Sequence, residues 1–180
     1  MAASPDPRAL DITALCDQDG RLDGHWPLIG MTRLLDSLYG QPTDEARVAW
    51  SASGSRRVMA GSGPAIWLQL RAEVSVMLQC QRCLQGLVQR LAVDRPFRFV
   101  RTEAEADALD ETAEEDVLVL PPRLDVLALV EDELILALPL VPRHEGTCPS
   151  PLPVPIDTLS DEDETPHPFA ALAALRGRPQ

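Results

Sequence analysis

The sequence predicts an α+β fold, mainly antiparallel β-sheet that can close into a barrel-like form, with a long hairpin at 66–101 and a covering helix at about 124–138. Three observations predict it. Apolar residues recur with a period of two from Ile66 to Cys80, the pattern resumes from Leu87 to Phe99, and Leu124 to Leu138 carries a helical apolar stripe. At 180 residues and 45% hydrophobic, the chain can bury one substantial core. The expected organisation is one domain over 1–148, with 1–25 loosely ordered and an acidic loop at 102–120. A linker at 149–168 and a short helix at 169–177 follow.

Each element has its own signal. Met31, Leu34, Leu35 and Leu38 fall on one helical face, so a short helix is expected there. Val48–Ser51 and Arg57–Ala60 read as short strands separated by Ser53-Gly54-Ser55, a turn signal. In the first strand of the hairpin the even positions Ile66, Leu68, Leu70, Ala72, Val74, Val76, Leu78 and Cys80 are apolar, against polar Gln69, Arg71, Glu73, Ser75 and Gln79. That alternation describes a strand with one buried face. In the second strand Leu87, Leu91, Val93, Phe97 and Phe99 alternate with Arg90, Asp94 and Arg98. Pro96 has no N–H to donate, which predicts an edge or a bulge at that point.

Residues 102–116 are acidic and alanine-rich without a steady apolar face, the pattern of a loop or a frayed helix. In the helix at 124–138, Leu127, Val130, Leu134 and Leu138 share a face, Asp125 can cap the start, and Pro139 and Pro142 forbid continuation. Glu131, Asp132 and Glu133 mark where the opposite face emerges. The segment at 149–168 has the Pro- and acid-rich composition of an extended linker. The final Ala-rich segment, with Phe169, Leu172 and Leu175 three apart, is too short to be a stable helix without a surface to pack on.

Charge is unevenly distributed. Residues 1–55 carry four Arg against eight acids, 56–101 eight Arg against two, and 102–180 four Arg against eighteen, for a net −12. A basic block inside an acidic chain meets either phosphate or the protein's own acids. The longest apolar stretch is interrupted by Asp125 and by Glu131-Asp132-Glu133, which argues against a membrane span. The start, MAASPDPRALDI, lacks a basic segment followed by an apolar one, which predicts a cytoplasmic protein. In that reducing compartment four cysteines stay thiols unless a metal holds them. Neither a glycine-rich phosphate loop nor a nucleophile elbow occurs, and His25, His144 and His167 have no matched acid or nucleophile nearby in sequence, so a non-enzymatic protein is expected.

CQRCL at 80–84, LDVLALVEDELILALPLVPRH at 124–144, the cysteine at 148 and HPFAALAALRG at 167–177 occur in an order and spacing that resembles the YceD-like family, the large ribosomal RNA subunit accumulation proteins of bacteria. The resemblance spans about residues 30–177. It implies a factor supporting synthesis, processing or accumulation of large-subunit (23S) ribosomal RNA, with precursor RNA, ribosomal proteins or assembly factors as partners and no small-molecule substrate. Some relatives carry a second CxxC after the helix. This chain has Arg143-His144-Glu145-Gly146-Thr147-Cys148-Pro149 there.

Several chemistries are to be weighed for these residues. A hairpin turn bearing CxxC can present two thiolates to one ion, and His144 and Cys148 can complete a structural zinc site with Cys80 and Cys83; alternatively Cys80 only continues the buried face. A thioredoxin-type redox pair is disfavoured, because a strand and not a helix flanks the motif. Arg82, Arg90, Arg98 and Arg101 can contact RNA phosphates if they line one sheet face. The acidic runs can hold a basic ribosomal protein, as an acidic chaperone would, or merely keep a linker solvated. Phe169, Leu172 and Leu175 can dock on a partner or on the chain's own domain.

Overall fold

The computed structural model describes residues 5–58 and 63–149. Its elements run α1 (Ile12–Asp17), β1 (Arg21–Pro27), α2 (Thr32–Leu35), β2 (Arg47–Val58), β3 (Pro64–Gln79), β4 (Gly86–Val100), α3 (Glu103–Asp110), β5 (Asp116–Val119) and α4 (Val126–Leu136). The five strands lie in the order β1-β2-β3-β4-β5. The first four pair antiparallel, and β5 returns through α3 to pair parallel with β4. The fold is α+β as expected, but the sheet is not closed, so the barrel-like form is corrected. Its two outer strands are short and remain edges, while α1 and α4 pack on the middle strands and cover one face.

The predicted hairpin is the spine of the sheet. β3 and β4 pair without a slip from Ile66 opposite Phe99 to Gln79 opposite Gly86. The even positions of β3 from Leu68 to Leu78, and Cys80 just after it, are buried, with Leu87, Leu91, Val93, Phe97 and Phe99 of β4 on the same face. Each such leucine contributes about 1.5–3 kcal/mol on burial. Pro96 sits opposite Gln69 in an unbroken register, so no bulge forms. β5 pairs with β4 only from Phe97 onward, which leaves β4 an edge strand at the proline.

Several boundaries differ from the sequence reading. β2 is one continuous strand through Ser53-Gly54-Ser55. Gly54 is required by contact and not by a turn, because a Cβ there would lie 2.9 Å from the Cys16 sulfur of α1. The proposed strand residues Met59 and Ala60 lie outside the described residues. The first 25 residues, which the sequence predicts to be loosely ordered, carry α1 and most of β1. Leu10 exchanges backbone hydrogen bonds of 2.9 Å each way with Leu124. The acidic 102–120 segment forms α3, capped by Thr102 accepting from the Glu105 N–H, and then β5. The expected helix at 31–38 is a single α turn, α2, continued by turn residues.

α4 starts where predicted, with Asp125 accepting from the Ala128 N–H at 3.0 Å. Its acidic triplet does not mark a solvent face. Glu131 and Glu133 are buried, and only Asp132 is half-exposed. Glu131 faces α2, and Glu133 faces Arg95 of β4 at 3.8 Å.

Candidate metal centre

The tip of the β3–β4 hairpin is a tight turn that begins at Cys80. The Cys80 N–H donates to the Gln85 carbonyl and the Leu84 N–H to the Cys80 carbonyl, both at 2.9 Å. Leu84 adopts a left-handed conformation, φ 59°, which lets the chain re-enter β4. This turn points Cys80 and Cys83 into one space, and both are buried.

The chain leaving α4 crosses the same turn. Pro139 and Pro142 prevent further helix, and the Pro142 carbonyl accepts from the Gln81 N–H at 2.9 Å. Two residues later His144 places Nδ1 3.5 Å from the Cys83 sulfur. The loop then reverses at Gly146, whose φ of +69° favours glycine, and brings the Cys148 sulfur to 3.9 Å from that of Cys80. The ligand atoms of Cys80, Cys83, His144 and Cys148 all lie within 4.8 Å of one another. Such a Cys3His group can hold a metal ion. The four residues singled out from sequence spacing are thus brought together, from two segments 61 to 68 residues apart.

Electrostatics favour thiolate at one of these positions. Burial opposes ionisation of Cys80, but backbone N–H groups of Arg82, His144 and Cys83, with the His144 side chain, hold its thiol down at about 5. Burial and the neighbouring Cys83 and Cys80 push the Cys148 thiol up to about 11. Donors so close together compete for charge until a cation shares them. Cys16, the fourth cysteine, is elsewhere, buried with its sulfur donating to the Trp67 carbonyl at 3.2 Å.

The four arginines assigned to RNA do not form one row. Arg82 is turned onto the loop after α4, donating to the carbonyls of His144 and Gly146, both at 2.6 Å. Nothing in the sequence signals this, because the acceptors are backbone atoms more than sixty residues away. Arg90 is exposed but pairs with Glu73 at 2.7 Å, holding that carboxyl below its usual range. Arg98 is not on a solvated face. It is 9% exposed, 3.7 Å from Glu115, and its Nε has no hydrogen-bond partner among the described residues. Arg101 is exposed, with its backbone N–H donating to Glu105, and its guanidinium forms no salt bridge among the described residues. Phe97 and Phe99 are core residues. Phe169, Leu172 and Leu175 lie outside the described residues. No helix among the described residues is long and apolar enough to cross a membrane.

Residues 68–176 match the family described as Large ribosomal RNA subunit accumulation protein YceD. A protein of Haemophilus influenzae with the same name is 28% identical over 173 residues, covering 93% of this chain and 95% of its own length. No solved structure matches.

Proposed function

Because the chain belongs to the YceD family, we propose that it is a non-enzymatic binding factor for the accumulation of large-subunit ribosomal RNA in the bacterial cytoplasm, with a structural zinc ion at Cys80, Cys83, His144 and Cys148. The observation that carries the ribosomal reading is the family match, which takes in the cysteine-bearing turn of the hairpin and the segment at 124–148.

The zinc reading rests on donor chemistry and spacing. Three thiolates and an imidazole suit zinc, and a tetrahedron with Zn–S of about 2.3 Å and Zn–N of about 2.05 Å has edges of roughly 3.8 Å between sulfurs and roughly 3.5 Å between sulfur and nitrogen. The Cys80–Cys148 and Cys83–His144 separations, 3.9 and 3.5 Å, match those edges. Bound there, the ion ties the hairpin tip to the chain leaving α4, and so fixes where the following segment departs.

Partners are precursor RNA, or the ribosomal proteins and assembly factors on it. Of Arg82, Arg90, Arg98 and Arg101, Arg101 is the one best placed for phosphate. A protein partner is the second reading, favoured by the charge balance of the outer face: Arg71 pairs with Asp94 and Arg90 with Glu73, which leaves little net charge to attract a polyanion. Phe169, Leu172 and Leu175 are then the docking contacts of the C-terminal segment. Both readings are tested by deleting the gene and measuring 23S against 16S ribosomal RNA. A lowered ratio restored by the wild-type chain is expected; an unchanged ratio under rapid growth contradicts the reading.

A further inference from the structure

Arg82 sits between the two cysteines of the hairpin turn, and one terminal nitrogen donates both its hydrogens, to the His144 and Gly146 carbonyls at 2.6 Å each. These acceptors bracket the bend that separates the other two metal-ligating residues. Upstream, the Gln81 N–H holds the Pro142 carbonyl. The loop is therefore gripped before, at and after His144 by two consecutive residues of the hairpin turn. We propose that Arg82 is a positioning residue that pre-assembles the metal centre, and not a nucleic-acid contact.

The physical argument has two parts. Without the clamp the chain beyond Pro142 must be ordered when the ion binds, and that ordering weakens affinity. The charge also matters. Three thiolates, a neutral imidazole and a dication leave one net negative charge among buried sulfurs, and the guanidinium beside them offsets it. Residues outside the ligand set that orient the ligands typically change metal affinity 10–100-fold when removed.

The inference rests on the zinc reading above, and its test keeps the two separable. Zinc affinity is measured by competition with a chromophoric chelator for wild type, Arg82→Met and Arg82→Lys, each also loaded with cobalt(II) to read the ligand field. Arg82→Met keeps the aliphatic stem and is expected to bind zinc 10–100-fold more weakly with unchanged cobalt bands, because all four ligands remain. Arg82→Lys, which keeps the charge and can reach a carbonyl, is expected to recover part of the loss. Wild-type affinity in Arg82→Met overturns the clamp. Failure of the wild-type protein to take up zinc or cobalt overturns the site itself.

Discussion

Glu131 of α4 closes the start of α2 through Arg33, 98 residues earlier in the chain. One carboxylate oxygen accepts from the backbone N–H groups of Arg33 and Leu34 at 2.8 and 3.1 Å, and the other accepts from Nε and a terminal nitrogen of the Arg33 side chain at 3.2 and 3.0 Å. The carboxylate is buried, while the guanidinium is half-exposed. This pair holds α2 against α4.

Glu131→Gln leaves the backbone donors facing a weaker acceptor and places an NH2 group beside them. The expected cost is about 1.5–3 kcal/mol, the range for hydrogen bonds to a charged group. Urea denaturation checks it, with a midpoint shift at constant slope. Asp132→Asn, on the exposed side of the same arginine, is expected to cost under about 1 kcal/mol.

Glu133 behaves differently. Burial raises its carboxyl pKa, and Arg95, at 3.8 Å and half-exposed, only partly opposes this. A carboxyl raised on folding stabilises the fold below its unfolded pKa, and that contribution is lost as pH rises through the folded value. Glu133→Gln is neutral throughout. The variant is therefore expected to gain melting temperature relative to wild type as pH is raised from 4 to 7, measured by calorimetry across that window.

Metal removal has a predicted size. At free zinc about a thousand times Kd, binding adds about 4 kcal/mol, which for a chain of this length is roughly 8–16 °C in melting temperature. Chelator treatment of the wild type, and Cys80→Ser or Cys148→Ser without chelator, are expected to lose most of that. Cys16→Ser, away from the cluster, is expected to leave zinc content unchanged.

Gly146 supplies the left-handed turn between His144 and Cys148, in open space, so an added methyl meets no atom but strains the backbone. Gly146→Ala is expected to cost about 1 kcal/mol, read as a several-fold weaker zinc affinity in chelator competition.

What could be read from the sequence followed the strength of its periodicities. The hairpin was legible because all eight even positions from Ile66 to Cys80 are apolar while most odd ones are polar, and the grouping of Cys80, Cys83, His144 and Cys148 because CxxC at a hairpin turn leaves few other Cys or His residues to join it. β1 was missed because Leu22, Gly24 and Trp26 are too few to show alternation, and Gly24 has no side chain to count. The glycine of β2 imitated a turn because sequence cannot distinguish a glycine needed for φ from one needed for helix contact. The burial of Glu131 and Glu133 was illegible, since their partners Arg33 and Arg95 come from distant segments. Arg82 illustrates the same limit: its charge was visible, but its acceptors are carbonyl groups that no residue identity encodes.

The central claim, a binding factor acting on the large-subunit precursor, is tested most directly by sedimenting the protein from growing cells through a sucrose gradient and sequencing RNA crosslinks from each fraction. Wild type and Phe169→Ala/Leu172→Ala/Leu175→Ala are run side by side in low and high salt. The account predicts that wild type migrates with large-subunit precursors and the triple variant shifts toward the top. Wild type confined to the top of the gradient in both salts, without crosslinks above background, would contradict it.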